Sequence, residues 1–222
     1  MTTRTYLRRQ GRISRGQARA ISELSDQFLI STRLEVTRMP DWTAVFGRSA
    51  PLGLEIGFGM GHALLAWGQR HPDWNLLGID VYQPGIGSLL LGMAAQKLTH
   101  LRIINEEATS ALSECFDPAS LDEVRIYFPD PWPKTRHHKR RLIQPGFAAL
   151  LADRLKPGGR LLLASDWQPY ADWMLEVLDG ESGLAPMAET WTSRSAPAAA
   201  AAVATRPGPD PCSSSKRWAP VW

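Results

Sequence analysis

Two cysteines, Cys115 and Cys212, are all this chain contains, and neither belongs to a C-x-x-C pair or stands at zinc spacing from a histidine. That scarcity argues against a disulfide framework and against a structural zinc site. No apolar run approaches about 18 residues and no basic leader precedes an apolar stretch, so neither a membrane span nor a signal peptide is read, and a cytoplasmic protein is expected. What remains is globular in composition, 44% apolar and 21% charged over 222 residues, a length that suits one domain or at most two.

Acidic residues are missing from two places. Residues 1–22 carry Arg4, Arg8, Arg9, Arg12, Arg15 and Arg19 with no acid, and residues 134–141 carry Lys134, Arg136, Lys139, Arg140 and Arg141 with none. Setting those eleven aside leaves 14 of the 25 basic residues against 22 acids, a balance of −8 where the whole chain has +3. An acidic body with its positive charge confined to two segments is the footprint of a protein that binds a polyanion.

The second basic segment follows the most informative stretch, R-I-Y-F-P-D-P-W-P at 125–133. Val124 to Phe128 reads as a strand, which must stop at Phe128 because Pro129, Pro131 and Pro133 forbid both a ladder and a helix. The prolines predict a stiff extended loop holding Asp130 and Trp132 at alternate positions. An acid and an aromatic at a strand's end, beside five cations, suit a planar base carrying phosphates. Open parallel sheets bind ligands outside the carboxyl ends of their strands.

A glycine turn supplies the other half. Leu54 and Ile56 end a buried strand, and Gly57, Gly59 and Gly61 turn into a helix over 63–70. Such a turn is a nucleotide-site candidate, although it reads G-x-G-x-G and not the dinucleotide G-x-G-x-x-G. The next strand, Asn75 to Ile79, ends in Asp80, 23 positions beyond Gly57, where a carboxylate can accept from both hydroxyls of a ribose. Leu101 to Ile104 is a third strand, running into Asn105, Glu106 and Glu107.

The remaining chain continues the alternation. The apolar spacing predicts helices over 18–28, about 84–97, 142–155 with Pro145 in its first turn, and 169–178; Lys156 to Gly159 reads as a stop, and Arg160 to Ala164 as a fifth strand ending at Asp166. Strand and helix alternating about five times imply an α/β fold with a doubly wound, mostly parallel sheet. Gly11 and Gly16 argue for a flexible basic arm before residue 18. Residues 196–222, with their alanine run and R-P-G-P-D-P-C-S-S-S-K, have the composition of a disordered tail with no strand. The expected organisation is an arm and short helix over 1–30, one α/β domain over 31–195 and a tail over 196–222.

Together the motifs R-R-Q-G-R at 8–12, L-E-I-G-F-G-M-G at 54–61, P-G-I-G at 84–87, F-P-D-P-W at 128–132, K-x-R-H-x-K-R-R at 134–141 and S-D-W-x-P-Y-A at 165–171 resemble the bacterial tRNA (guanine-N7)-methyltransferases. That family belongs to the S-adenosylmethionine-dependent, Rossmann-like methyltransferases, and the match covers about the first 180 residues. The resemblance implies transfer of a methyl group from S-adenosylmethionine to N7 of guanine 46 in the variable loop of tRNA. It would place Glu55, Gly57, Gly59, Gly61, Asp80, Glu107 and Asp130 at the cofactor, with Asp130 also catalytic, and Lys134 and Asp166 at the tRNA substrate. Arg8, Arg9, Arg12, Arg136, Lys139, Arg140 and Arg141 would hold the tRNA backbone. The expected partner is tRNA, with no metal and no membrane, for a monomer or weak homodimer.

Three departures stand against that pattern. The family usually has glutamate at Asp80 and aspartate at Glu107, so each carboxylate is moved by one methylene. Its closing T-x-F-E motif is also missing, and only Thr205-Arg206 stands there before proline-rich sequence. Two rivals therefore compete with the enzyme: a catalytically impaired tRNA-binding module, and a nicotinamide-dependent oxidoreductase suggested by the glycine turn and Asp80. The change of composition after about Pro197 suggests a frameshifted reading of the family's C-terminal region. Translating the gene's two other frames past Thr205 is expected to reveal T-x-F-E, and its absence from both would end the frameshift idea.

Overall fold

The computed structural model describes residues 11–30, 39–187 and 199–205, with the backbone alone over 199–204. The described residues fall into two compact units, one before and one after the boundary between Asp117 and Pro118. In the first, strands β1 (Leu29–Ile30), β2 (Leu52–Ile56), β3 (Asn75–Ile79) and β4 (Leu101–Ile104) lie in the order β1-β4-β3-β2, every pairing parallel. β2 and β3 are buried along their whole length, as parallel strands covered on both faces are. Five helices connect and cover them: α1 (Arg15–Phe28), α2 (Trp42–Phe46), α3 (His62–Arg70), α4 (Gln83–Gln96) and α5 (Ala108–Glu114). Trp67 and Leu64 of α3, Ile86, Leu89 and Leu90 of α4, and Ala20 and Phe28 of α1 form one apolar core with Leu76 and Ile103 of the sheet.

In the second unit, β5 (Leu121–Tyr127) pairs parallel with β6 (Leu155–Ser165), and β8 (Ala199–Thr205) runs antiparallel to both β6 and β7 (Leu184–Pro186). The helices are α6 (Pro145–Arg154) and α7 (Gln168–Asp179), with a 3-10 helix at Thr135–Arg140. Pro145 takes the first helical position, where its missing N–H costs nothing. One buried acid, Glu123 on β5, is compensated by Arg125 Nε at 2.6 Å and Arg160 Nη2 at 2.5 Å. Among the described residues no helix is long and apolar enough to cross a membrane.

Several expectations are corrected. α1 begins at Arg15 and not at Ala18, so Arg15 is helical and not part of a flexible arm, while Arg19 lies in the helix as expected. Ser14 and Gln17 form a reciprocal capping box there, which outweighs the cost of Gly16 in the first turn. The predicted stop at Lys156 to Gly159 lies inside β6 as an irregularity: Leu121 pairs with Leu155, yet Glu123 pairs with Arg160. β5 ends at Tyr127, one residue early. The tail, expected to hold no strand, contributes β8, in which Ala199 to Ala204 pair with Ser165 to Arg160. Alanine has little intrinsic preference for strands, and pairing with β6 and β7 decides the conformation. Residues 206–222 lie outside the described residues.

One close contact sets how the elements of the first unit pack. A Cβ added at Gly85, in the first turn of α4, would stand 1.9 Å from the carbonyl oxygen of Gly59. Gly85→Ala is therefore expected to destabilise the protein by about 3 kcal/mol, since backbone cannot yield as a side chain does. Gly146→Ala in α6, where nothing lies within 4 Å of the added atom, should change stability by less than about 1 kcal/mol. Chemical denaturation of both variants checks the contrast, and equal stabilities would refute it.

Candidate cofactor and nucleic-acid site

In the first unit the candidate residues gather at the carboxyl ends of adjacent parallel strands. Glu55, 2% exposed, stands on β2 opposite Gly78 of β3. The turn that follows has φ of +73° at Gly57, +55° at Gly59 and +83° at Gly61, values that favour glycine at each position. Its shape is fixed from β3: Gly57 N donates to Ile79 O at 2.8 Å, and Gly59 N donates to Asp80 Oδ2 at 2.8 Å. The other carboxylate oxygen of Asp80 accepts from Tyr82 N at 2.9 Å, turning the chain into α4. A Cβ added at Gly57 or Gly59 would meet no atom within 4 Å. The turn thus offers open space beside exposed backbone, a place for a ligand to approach closely.

Glu107 is the N-cap of α5, its carboxylate accepting from Thr109 N at 2.9 Å, Ser110 N at 3.1 Å and Thr109 Oγ1 at 3.3 Å. Arg12 is exposed just before Ser14, the cap of α1. Arg8 and Arg9 lie outside the described residues.

In the second unit the proline loop is not the extended stretch expected. Phe128 has φ of +52° and Trp132 of +44°, so the chain bends on either side of Asp130. Both are strained conformations for bulky residues. Phe128 N donates to Ala164 O at 2.8 Å, which holds the first bend against β6, and its ring stands 56% exposed. Trp132 packs against its own chain, with Arg140 Cζ 5.2 Å from its ring and His137 edge-on at 5.8 Å. Lys134 caps the 3-10 helix Thr135–Arg140, and Lys134, Arg136 and Lys139 are exposed on or beside it. Asp130 is half-buried, and Asp166, at the end of β6, is exposed.

Arg141 departs from the expectation that it faces a phosphate backbone. It is 3% exposed, its Nε donates to Pro131 O at 3.0 Å, and its guanidinium lies 5.7, 5.0 and 5.7 Å from the rings of Trp167, Tyr170 and Trp173. Burial accordingly lowers its pKa, with partial compensation from Tyr170. Tyr170 is itself wholly buried, and its hydroxyl pKa is pushed up to about 12, chiefly by desolvation, with Asp130 adding to the rise. The residues that form this cage went unassigned in the sequence, although their spacing of three was legible as one face of a helix. Among the described residues no group of three or more potential metal ligands is present.

Comparison with known proteins fits this geometry. A family model described as "Putative methyltransferase" (Methyltransf_4) matches residues 49–213. A tRNA (guanine-N(7)-)-methyltransferase of Paraburkholderia xenovorans is 49% identical over 191 residues, covering 86% of this chain and 72% of that protein. One of Burkholderia vietnamiensis is 50% identical over the same length, covering 86% and 74%. Among solved structures, an rRNA methylase of Streptococcus thermophilus superposes with a TM-score of 0.54 at 13% identity, over 71% of this chain and 87% of that one. The 16S rRNA (adenine(1408)-N(1))-methyltransferase of Catenulisporales acidiphilia does so with 0.54 at 15% identity, over 76% and 91%. At such identities the likeness is one of fold, and that fold is the Rossmann-like α/β methyltransferase type.

The basic helix also carries a charge prediction. Desolvation, then the cations Arg140, Arg136 and Lys134, lower the pKa of His137 below its ordinary 6.5. The neutral ring is therefore favoured, and its neighbours carry most of the local charge. An NMR titration of the ring should show a midpoint below 6.5 that rises in Arg140→Gln, and an unshifted midpoint would refute the assignment.

Proposed function

The chain belongs to the tRNA (guanine-N(7)-)-methyltransferase family, and from that premise we propose that it transfers the methyl group of S-adenosylmethionine to N7 of a guanine in tRNA, guanine 46 of the variable loop. The observation that carries the reading is one stretch in which half-buried Asp130, between two sharp bends, leads directly into an exposed basic helix. An oxidoreductase has no use for that stretch.

The cofactor suits the residues present. Gly57 and Gly59 leave the space that its close approach to backbone needs, and Glu55, Gly61, Asp80 and Glu107 complete the set at the ends of β2, β3 and β4. Asp80 would receive the ribose hydroxyls with the same carboxylate that fixes the turn. Glu107 would reach the adenine amino group from its place at the head of α5. When bound, S-adenosylmethionine supplies an electrophilic methyl group on a sulfonium.

Guanine N7 has an exposed lone pair, so no strong general base is required, and alignment is the main demand on the protein. Holding two reactants in a near-attack arrangement contributes roughly 7 to 11 kcal/mol. Asp130 is suited to orient the base by accepting from guanine N1–H and the exocyclic amine. Its charge also offsets the positive charge that the purine acquires on methylation. Lys134 and Asp166 are assigned to the tRNA substrate, and Arg8, Arg9, Arg12, Arg136, Lys139 and Arg140 to its phosphates. Neutralising Z phosphates gives a salt slope of about −0.7Z on single strands. We place the protein in the cytoplasm as a monomer or weak homodimer.

Incubating the purified chain with unmodified tRNA and labelled S-adenosylmethionine, then mapping 7-methylguanosine by mass spectrometry, tests the reading. Asp130→Ala is expected to lower kcat/KM by about 100- to 1000-fold, the scale for loss of one transition-state electrostatic contact. Equal background counts in wild type and variant would instead favour the RNA-binding module without turnover.

A further inference from the structure

The last cation of the basic run behaves unlike the others. Lys134, Arg136 and Lys139 are exposed, whereas Arg141 is buried among three aromatic rings. A tRNA phosphate could reach its guanidinium only after that packing opened. Resting on the reading that Asp130 acts in the reaction, we propose that Arg141 is a positioning residue, which sets the geometry of the Asp130 loop from within the second unit and does not grip tRNA.

The chain of contacts is continuous. Trp167 is the N-cap of α7, with Tyr170 and Trp173 following on that helix at intervals of three residues. The backbone just past Arg141 is clamped to the same wall: Ile143 N donates to Tyr170 Oη at 3.3 Å, and Trp173 Nε1 donates to Ile143 O at 2.8 Å. The cage and the residue it holds are therefore fixed relative to each other. From inside it, Arg141 Nε reaches Pro131 O at 3.0 Å. That carbonyl belongs to the peptide joining Pro131 to Trp132, so the bond holds the second peptide plane after Asp130, at the bend itself. The strained φ at Phe128 and Trp132 needs such outside support, because a free loop would relax out of it.

Arginine suits this place for a stated reason. Its planar, weakly hydrated guanidinium can lie against ring faces while one N–H of the same group donates in plane. Lysine keeps the charge but has a strongly hydrated ammonium and no planar fork, so Arg141→Lys separates charge from geometry.

The experiment compares Arg141→Lys with Arg136→Gln in steady-state methyl transfer to tRNA across a range of salt concentrations. Amide hydrogen exchange of residues 128–133 is followed by mass spectrometry in the same proteins. For Arg141→Lys we expect kcat to fall by about 10- to 100-fold, as misplacement by about an ångström does, with KM for tRNA and the salt slope unchanged. The amides of Asp130 and Trp132 should exchange about tenfold faster, reporting local opening. Arg136→Gln should do the reverse, raising KM and making the salt slope shallower by about one, with kcat and exchange retained. A raised KM with a shallower slope in Arg141→Lys, or unchanged exchange at Asp130 and Trp132, overturns the proposal. Should Arg141→Lys not fold, Trp167→Leu removes one cage wall and leaves Arg141 in place. It is expected to show the same pattern at about a third of the effect, and wild-type kcat and exchange in it overturn the proposal. Absence of any transfer by the wild-type chain would defeat the reading of Asp130, while the exchange comparison would still decide the role of Arg141.

Discussion

Gly59 is held from two sides, and the first unit's candidate site depends on it. Its N–H donates to Asp80 at the tip of the neighbouring strand, and its carbonyl oxygen faces Gly85 in the first turn of α4 at a distance no larger residue would permit. The glycine turn and the stretch from Asp80 to Gly85 therefore meet at one residue. Asp80 thus has a structural task before any ligand arrives: it sets the turn whose open face the cofactor needs. Whether glutamate or aspartate stands there decides how far the strand tip is from the amide it must reach. The aspartate found here spans that distance with a bond of 2.8 Å.

The second unit solves a similar problem with different chemistry. A loop rich in proline has few N–H groups, so it cannot be held by the donors that usually fix a turn. Its amide at Phe128 is tied to β6, and its carbonyl at Pro131 is tied by a buried guanidinium that comes from the end of the basic run. The run is therefore two things in sequence. Its first members are exposed charge around a short helix, and its last member is an internal brace.

Much of this was legible from residues alone. β3 and β4 have the bounds read from their apolar runs, and α3, α4, α6 and α7 begin within a few residues of the predicted positions, because glycine and proline mark their ends. The candidate carboxylates Glu55, Asp80 and Glu107 stand at or beside the ends of β2, β3 and β4, as the alternation implied. What could not be read were features decided by partners distant in sequence. Burial of Arg141 follows from rings on α7 and not from its neighbours in K-R-R. The bends at Phe128 and Trp132 follow from bonds to Ala164 and Arg141, where proline content alone suggested extension. The strand at Ala199–Thr205 follows from the edge offered by β6, since nothing in an alanine run announces it.

That strand has a consequence of its own. Alternating large and small, or apolar and polar, side chains normally tell a strand which of several alignments is correct, and a displacement by one or two positions then exposes the wrong face. From Ala199 to Ala202 every residue is the same, so those four positions supply no such key. The described side chain that can tell one alignment from another is Thr205, buried, with its hydroxyl donating to Lys156 O at the far end of the strand. A run of identical residues is thus anchored by a hydroxyl beyond it, and the alanines themselves carry no alignment.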